Sequence, residues 1–183
     1  RDINIYRCPR GREDHVLTYA AVSAANCHTV EESTSDEPWE VTYELTKPGK
    51  RIGSTVLKLT RITDIVSPGP AARAVFIDAG QTEGRFGVPY LSPLWDWGYP
   101  PPIQHTGGVT LSMADGHGEY WKWKGRETVE MPRELLPVRG TFNEILADAQ
   151  DYEPQTEDGL YDLQRLQRAT WGRLGYSAEE KTP

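Results

Sequence analysis

The Asp115–Gly116 pair constrains this chain most, because it separates two runs in which apolar and polar residues alternate. The first run covers residues 109–114 and the second covers residues 117–124. A period of two is typical of half-buried strands, and Asp-Gly between two such runs is typical of a two-residue type I′ turn. The sequence therefore predicts a tight β-hairpin with positive φ at both turn residues.

A two-residue turn also fixes the expected register of this hairpin. It places Leu111 opposite Tyr120, and it points Trp121 and Trp123 to the other face. Both faces of the hairpin would then carry large apolar side chains, so we expect each face to be covered.

Three other segments have the patterns of strands. Residues 39–45 and 55–66 alternate, whereas residues 74–78 form a short apolar run bounded by turn residues, which indicates a central strand. Residues 80–104 are rich in Gly and Pro, and we expect a long structured loop there.

Helices are predicted near the C-terminus. A short one is expected at residues 141–147, and a longer one has its apolar stripe at residues 160–174. Thr156 followed by two acidic residues predicts where the longer helix begins, and Gly175 predicts where it ends.

These patterns together predict an α+β fold, an antiparallel β-sheet with long Gly/Pro-rich loops and C-terminal helices packed on it. At 183 residues the chain is expected to form one globular domain, residues 1–183. We divide it into a head, residues 1–125, and a helical C-terminal extension, residues 126–183, packed on that head.

The charge balance narrows the class of partner. Asp and Glu number 27 and Lys and Arg number 20, so the formal net charge is −7, and a nucleic-acid partner is disfavoured. The apolar runs are far shorter than the roughly 20 residues that a bilayer crossing needs. The sequence opens at Arg1 without a targeting stretch, so we expect either a processed chain or one lacking an N-terminal segment.

The two cysteines bear on the compartment. Cys8 and Cys27 lie close together in turn-rich sequence, and a disulfide between them would stabilise the fold by about 3 kcal/mol in the loop-entropy model. We favour that bridge, which implies an oxidising, extracytoplasmic setting. The alternative is two unrelated buried thiols.

Few residues suggest chemistry. His105, Asp115 and His117 lie near one another in sequence, and Asp78 ends a neighbouring predicted strand, so a metal-dependent hydrolase around His105, Asp78 and His117 is the least favoured hypothesis. Otherwise Asp115 is simply a turn residue and His105 hydrogen-bonds backbone. We predict no catalytic residue, no metal and no cofactor.

The aromatic loop at Trp95, Trp97 and Tyr99 suggests a different class of function. Such rings stack on sugars, so a secreted carbohydrate-binding module is the main alternative. The same residues are equally suited to packing a long proline-braced loop.

One spacing carries a family resemblance. His105 is followed by nine residues and then by Asp115, Gly116 and His117, and this stretch resembles the H-X9-DG family of bacterial pilin-like proteins, which are related to pseudopilins of type II secretion and to type IV pilins. Gly107 and Gly108 match the family's His-x-Gly-Gly stretch. Three further features resemble the family in the same order along the chain, so that the resemblance spans roughly residues 6–124. They are Cys8–Pro9, residues 17–26, and the strand ending in Asp at 75–78.

The resemblance implies the globular head of a non-catalytic subunit on the cell envelope or outside the cell. Its partners would be other pilin-like subunits in a homo- or hetero-oligomer. The family's leader and hydrophobic N-terminal helix are absent from this sequence, so any membrane attachment would depend on such a helix. The tail from about Arg126 lies outside the signature.

Overall fold

The computed structural model describes residues 8, 18–25, 32–33, 41–42, 51–80, 85–96, 98–135 and 151–177. These residues form strands β1 (Tyr19–Val22), β2 (Glu32–Ser33), β3 (Val41–Thr42), β4 (Arg51–Ile52), β5 (Thr55–Val56), β6 (Ala74–Asp78), β7 (Arg85–Phe86), β8 (Gly108–Met113) and β9 (Gly118–Lys122), and helices α1 (Arg126–Leu135) and α2 (Glu157–Trp171). No helix within these ranges has both the length and the apolar composition for a membrane crossing.

The main sheet has five strands in the order β7-β1-β6-β8-β9. The predicted strand at residues 74–78 is confirmed as its central strand, because β6 pairs with β1 on one side and with β8 on the other. Only the β1–β7 pair is parallel, so the sheet is mixed rather than purely antiparallel. With two helices beside this sheet, the α+β class is confirmed.

The predicted hairpin exists as β8 and β9, but the predicted turn type is wrong. Gly116 lies at φ +95°, whereas Asp115 stays out of the positive-φ region. Hydrogen bonds join the Met113 carbonyl to Gly116 N and the His117 carbonyl to Met113 N. The loop therefore has three residues and ends in a glycine bulge.

The extra loop residue shifts the register by one and changes the faces of the hairpin. Val109 now pairs with Trp121, and Thr110 pairs with Tyr120. Trp121 therefore lies on the same, buried face of the hairpin as Leu111, whereas the predicted register placed these two side chains on different faces. The large apolar side chains of the hairpin gather on one face, and Tyr120 is left on the other.

The strand predicted over residues 55–66 is wrong beyond its first two residues. After β5 the chain bends and forms a 3₁₀ helix at Ile62–Asp64. The buried guanidinium of Arg73 donates hydrogen bonds to the carbonyls of Val56 and Leu57. Carbonyls that would extend a β-ladder are thus satisfied by a side chain, and the strand ends.

Helix α2 confirms the predicted start and corrects the predicted end. Thr156 is the N-cap, and its hydroxyl accepts a hydrogen bond from Gly159 N at 3.1 Å. The helix stops at Gly172, with φ +82°, three residues before the predicted Gly175. Leu163 and Leu166, both on the predicted stripe, are fully buried.

Helix α1 has no equivalent in the predicted elements, because its N-terminus is capped by a side chain far along the chain. The buried carboxylate of Asp162, on α2, accepts hydrogen bonds from Lys124 N and Gly125 N at 2.8–3.1 Å. Burial raises the pKa of Asp162, while these hydrogen bonds oppose that rise. A Cβ on Gly125 would lie 2.8 Å from the backbone of Gly159, so the two helix N-termini meet closely.

The capping is reciprocal, because Glu127 on α1 caps α2. Its Oε1 accepts from Thr156 N at 2.8 Å, and its Oε2 accepts from Gln155 N and from the Tyr152 hydroxyl at 2.9 and 2.7 Å. Burial raises the pKa of Glu127, but the hydrogen bonds outweigh it and hold the pKa below its ordinary value. Helices α1 and α2 therefore stabilise each other's first turns.

We expect Glu127→Gln to lower the free energy of unfolding at neutral pH by about 1 kcal/mol, the usual contribution of a helix cap. Because the folded-state pKa is depressed, the charge contributes above the unfolded pKa and is lost as pH falls through the folded pKa. Urea unfolding between pH 7 and pH 3 should therefore show the difference from wild type shrinking on acidification. Glu130→Gln on the same helix, whose carboxylate pairs with exposed Arg126, is the matched control. A pH-independent difference would contradict the charge-based cap.

Two predicted elements lie partly or wholly outside the described residues. The predicted strand at residues 39–45 is described only at Val41–Thr42, which pairs with Glu32–Ser33. The predicted helix at residues 141–147 lies outside the described residues.

Candidate functional site

The two faces of the main sheet differ. One is filled by the core, in which α2 supplies Leu163, Leu166 and Trp171. On the other, the pairing register aligns Tyr19 with Asp78 and Thr110 with Tyr120 across neighbouring strands. We call this second side the open face.

Aromatic rings are exposed on the open face. Phe76 is 45% exposed and Tyr120 is 53% exposed. Phe76 pairs with Ser112 on β8 and with half-buried Ala21 on β1, so its ring stands over the middle of the sheet. The centre of the open face therefore presents an accessible aromatic ring.

A cluster of three reactive side chains lies at one end of this face. His105 Nε2 is 2.7 Å from Asp78 Oδ2 and 3.8 Å from Cys8 Sγ. Asp78 is 1% exposed and His105 is 20% exposed. The three residues come from the N-terminal segment, the end of β6 and the loop before β8, so only the folded chain brings them together.

Hydrogen bonds between backbone groups and nearby hydroxyls hold Cys8 and His105 in place. Cys8 N donates to the Thr18 hydroxyl at 2.7 Å, just ahead of β1. The His105 carbonyl accepts a hydrogen bond from the Tyr120 hydroxyl at 2.8 Å, which ties the loop to β9. The loop then turns through Thr106 and Gly107, at φ +59° and +76°.

The two glycines of the His-x-Gly-Gly stretch have different explanations, positive φ at Gly107 and close approach at Gly108. A Cβ on Gly108 would lie 2.3 Å from the Trp121 carbonyl and 2.7 Å from the Tyr120 hydroxyl. The Gly107 carbonyl accepts from Trp123 N at 3.1 Å. Because neither glycine has a side chain, His105 can lie immediately before the first strand of the hairpin.

The cluster does not have the arrangement of a nucleophilic triad. In a triad one imidazole nitrogen faces the nucleophile and the other faces the carboxylate. Here the same atom, Nε2 of His105, faces both Asp78 and Cys8. When Nε2–H donates to Asp78, it has no lone pair left to take the proton of Cys8.

One oxygen atom of the cluster lacks a hydrogen-bond partner among the residues that the structure describes. Asp78 Oδ1 is buried and has no hydrogen-bond partner in the described part of the chain. Burial raises the pKa of the neighbouring Tyr19, and the nearby acidic groups of Asp78 and Cys8 add to that rise. A buried carboxylate oxygen without a donor is costly, so a positively charged or donating group would be stabilised at this end of the open face.

The residues considered for a hydrolytic metal set are divided between two places. Asp78 and His105 meet in the cluster, but Asp115 and His117 lie at the hairpin tip, beyond the six-residue strand β8. There His117 is 2.6 Å from Asp115 Oδ1 and 3.0 Å from Glu119 Oε1. Hydrogen bonds to Glu119 and Asp115 raise the pKa of His117.

The aromatic loop is packed rather than displayed. Trp95 and Tyr99 are buried, and Trp95 makes an edge contact with Trp123 at 6.1 Å. Tyr99 packs edge-on against Phe86 at 5.7 Å. Trp97 lies outside the described residues. This burial argues against a glycan platform built on Trp95 and Tyr99.

The sequence grouped Asp78 with His105 only in the least favoured, metal-dependent hypothesis, and it missed Cys8 as their neighbour. The preferred expectation, that the His105 side chain bonds backbone, is wrong, because its Nε2 lies 2.7 Å from Asp78 Oδ2. The Cys8–His105 contact spans 97 positions, and its only signal was the shared order of Cys-Pro, strand-ending Asp and His in the family signature. Cys27 lies outside the described residues, so the Cys8–Cys27 disulfide stays a prediction.

Comparison with known proteins adds no assignment. No protein-family model, no curated protein and no solved structure matches this chain.

Proposed function

We propose that this chain is a non-catalytic, pilin-like subunit of a cell-envelope or extracellular assembly, and that the open face is its contact surface for another subunit. The observation that carries the proposal is the exposure of Phe76 and Tyr120 on a sheet whose other face is filled. Exposed aromatic rings on a sheet face are typical of protein interfaces.

The arrangement of the termini of the elements supports the same proposal. Cys8 lies at the end of the open face, and β1 follows it through Thr18. Cys8 therefore lies on the side of the sheet that carries Phe76 rather than on the side covered by α2. The H-X9-DG resemblance implies subunits that assemble through a segment preceding the head.

The geometry of the cluster supports a structural role. His105 uses one nitrogen for both Asp78 and Cys8, and its carbonyl holds Tyr120. These contacts connect Cys8, β6 and the hairpin to one another. In this proposal His105 stabilises the structure of the open face and does not act as a general base.

We expect Phe76→Lys to block assembly while leaving the fold intact. Phe76 is exposed, so its replacement should change the free energy of unfolding by less than about 0.5 kcal/mol. A lysine placed at the centre of an apolar contact would have to be desolvated on association. The measurement is the fraction of the natural full-length gene product recovered in high-mass, envelope-associated assemblies from its own cells.

Ile62→Lys is the matched control, because Ile62 is 55% exposed on the 3₁₀ helix outside the main sheet. The proposal expects a loss of roughly tenfold or more in assembled protein for Phe76→Lys, which corresponds to 1.4 kcal/mol or more of association free energy. Ile62→Lys should assemble normally. Equal assembly of both variants and wild type would contradict the open face as the contact.

A further inference from the structure

We propose that Cys8, Asp78 and His105 form a structural site for a zinc-class divalent ion. One ligand atom from each residue, a thiolate sulfur, a carboxylate oxygen and an imidazole nitrogen, lies within 4.8 Å of the other two. Sulfur, nitrogen and oxygen donors together are the set that zinc accepts.

The distances are close to those of a tetrahedral ion. With metal–ligand bonds of about 2.0–2.3 Å, neighbouring ligand atoms lie roughly 3.3–3.6 Å apart. The sulfur of Cys8 is 3.8 Å from His105 Nε2, almost at that spacing. The 2.7 Å hydrogen bond between His105 and Asp78 has to open by roughly 0.6 Å to admit the ion.

The unpaired oxygen of Asp78 is the independent observation that points to a cation. Asp78 is the last residue of β6 and is fully buried, yet its Oδ1 has no donor among the described residues. A purely structural carboxylate at this depth would normally have both oxygens satisfied. A cation held at this carboxylate would compensate its buried charge.

Binding of the metal ion at this site is coupled to the release of a proton. The thiol proton of Cys8 leaves when its sulfur becomes a ligand, and the proton on His105 Nε2 moves to Nδ1 so that Nε2 can bind the ion. Affinity should therefore weaken as pH falls. Cys8 and Asp78 are almost completely buried, so we assign the ion a structural role, that of linking Cys8 to the end of β6.

This proposal and the Cys8–Cys27 disulfide exclude each other, because a bridged Cys8 has no thiolate to offer. Thiol titration of the purified, chelator-treated and denatured chain separates them. Two reactive thiols are expected for the metal site. No reactive thiol would show that Cys8 is oxidised and would overturn the proposal.

The direct test is reconstitution of the whole chain with Co²⁺ and Zn²⁺ alone. We expect one equivalent to bind, with a sulfur-to-cobalt charge-transfer band that Zn²⁺ removes and a rise in melting temperature that a chelator reverses. Cys8→Ser should lose the band, whereas Cys27→Ser and His117→Gln should keep it.

The following results would each contradict the proposed metal site. Failure of wild-type protein to bind an equivalent of either ion would overturn the proposal without relying on any variant. Binding without the sulfur band, or binding that is lost in His117→Gln and kept in Cys8→Ser, would place the ion at the hairpin tip instead. None of these outcomes depends on subunit assembly, so the proposed function is tested separately.

Discussion

Replacing Trp171 with alanine is expected to lower the free energy of unfolding by about 3–5 kcal/mol, the usual cost of truncating a buried tryptophan. Trp171 is 2% exposed at the end of α2. Its ring packs against Tyr90 with the centroids 5.6 Å apart, and its Nε1–H donates to the Val88 carbonyl at 2.9 Å. Truncation would leave both a cavity and an unpaired carbonyl under the C-terminal helix.

Urea unfolding followed by tryptophan fluorescence and by circular dichroism measures this loss. Trp171→Phe is the matched control, because it keeps an aromatic ring but loses the hydrogen bond to Val88. We expect a loss of about 1–2 kcal/mol for the control, mainly from the unpaired carbonyl. If Trp171→Ala changed stability by less than about 0.5 kcal/mol, as exposed positions do, α2 would not be part of the core.

Arg73 is expected to give the second large effect. Its buried guanidinium donates to the carbonyls of Val56, Leu57 and Thr170 at 2.6, 3.3 and 2.9 Å. These bonds join β5 and the residue after it to the last turn of α2, where a cation is favourable. Burial lowers the pKa of Arg73 to about 10, so the group remains charged at neutral pH.

Two opposing contributions determine how much Arg73→Met changes the free energy of unfolding. Each buried carbonyl left without a donor costs about 1–3 kcal/mol, whereas the desolvation penalty of the cation is removed with the charge. We expect the unpaired carbonyls to prevail, with a net loss of about 3 kcal/mol in urea unfolding. Arg73→Lys keeps the charge without the planar fork and should recover only part of the loss. A Met variant as stable as wild type would show that the guanidinium bonds contribute nothing net.

Local signals were enough for several elements. The alternating runs around Asp115–Gly116 predicted both strands of the hairpin, and Thr156 with its acidic followers predicted where α2 begins. The turn type was wrong because Asp-Gly also suits a three-residue loop with a glycine bulge, in which only Gly116 needs positive φ.

Other features depend on partners that are distant in sequence. The strand at residues 55–66 ends early because Arg73 satisfies its carbonyls, and α1 begins where Asp162 caps it from 37 positions away. The periodicity of apolar residues along the sequence does not reveal such tertiary hydrogen bonds. For the same reason the contacts of His105 with Asp78 and Cys8, which lie 27 and 97 positions away, were not the preferred expectation.

The central claim, that the open face is a subunit contact, is tested most directly by photo-crosslinking from position 76. A benzophenone amino acid would replace Phe76 in the natural full-length gene product and, as a control, Ile62, which is also exposed. We expect irradiation of intact cells to give an adduct with another subunit from position 76 and none from position 62. No intermolecular adduct from position 76, or equal adducts from both positions, would contradict the claim.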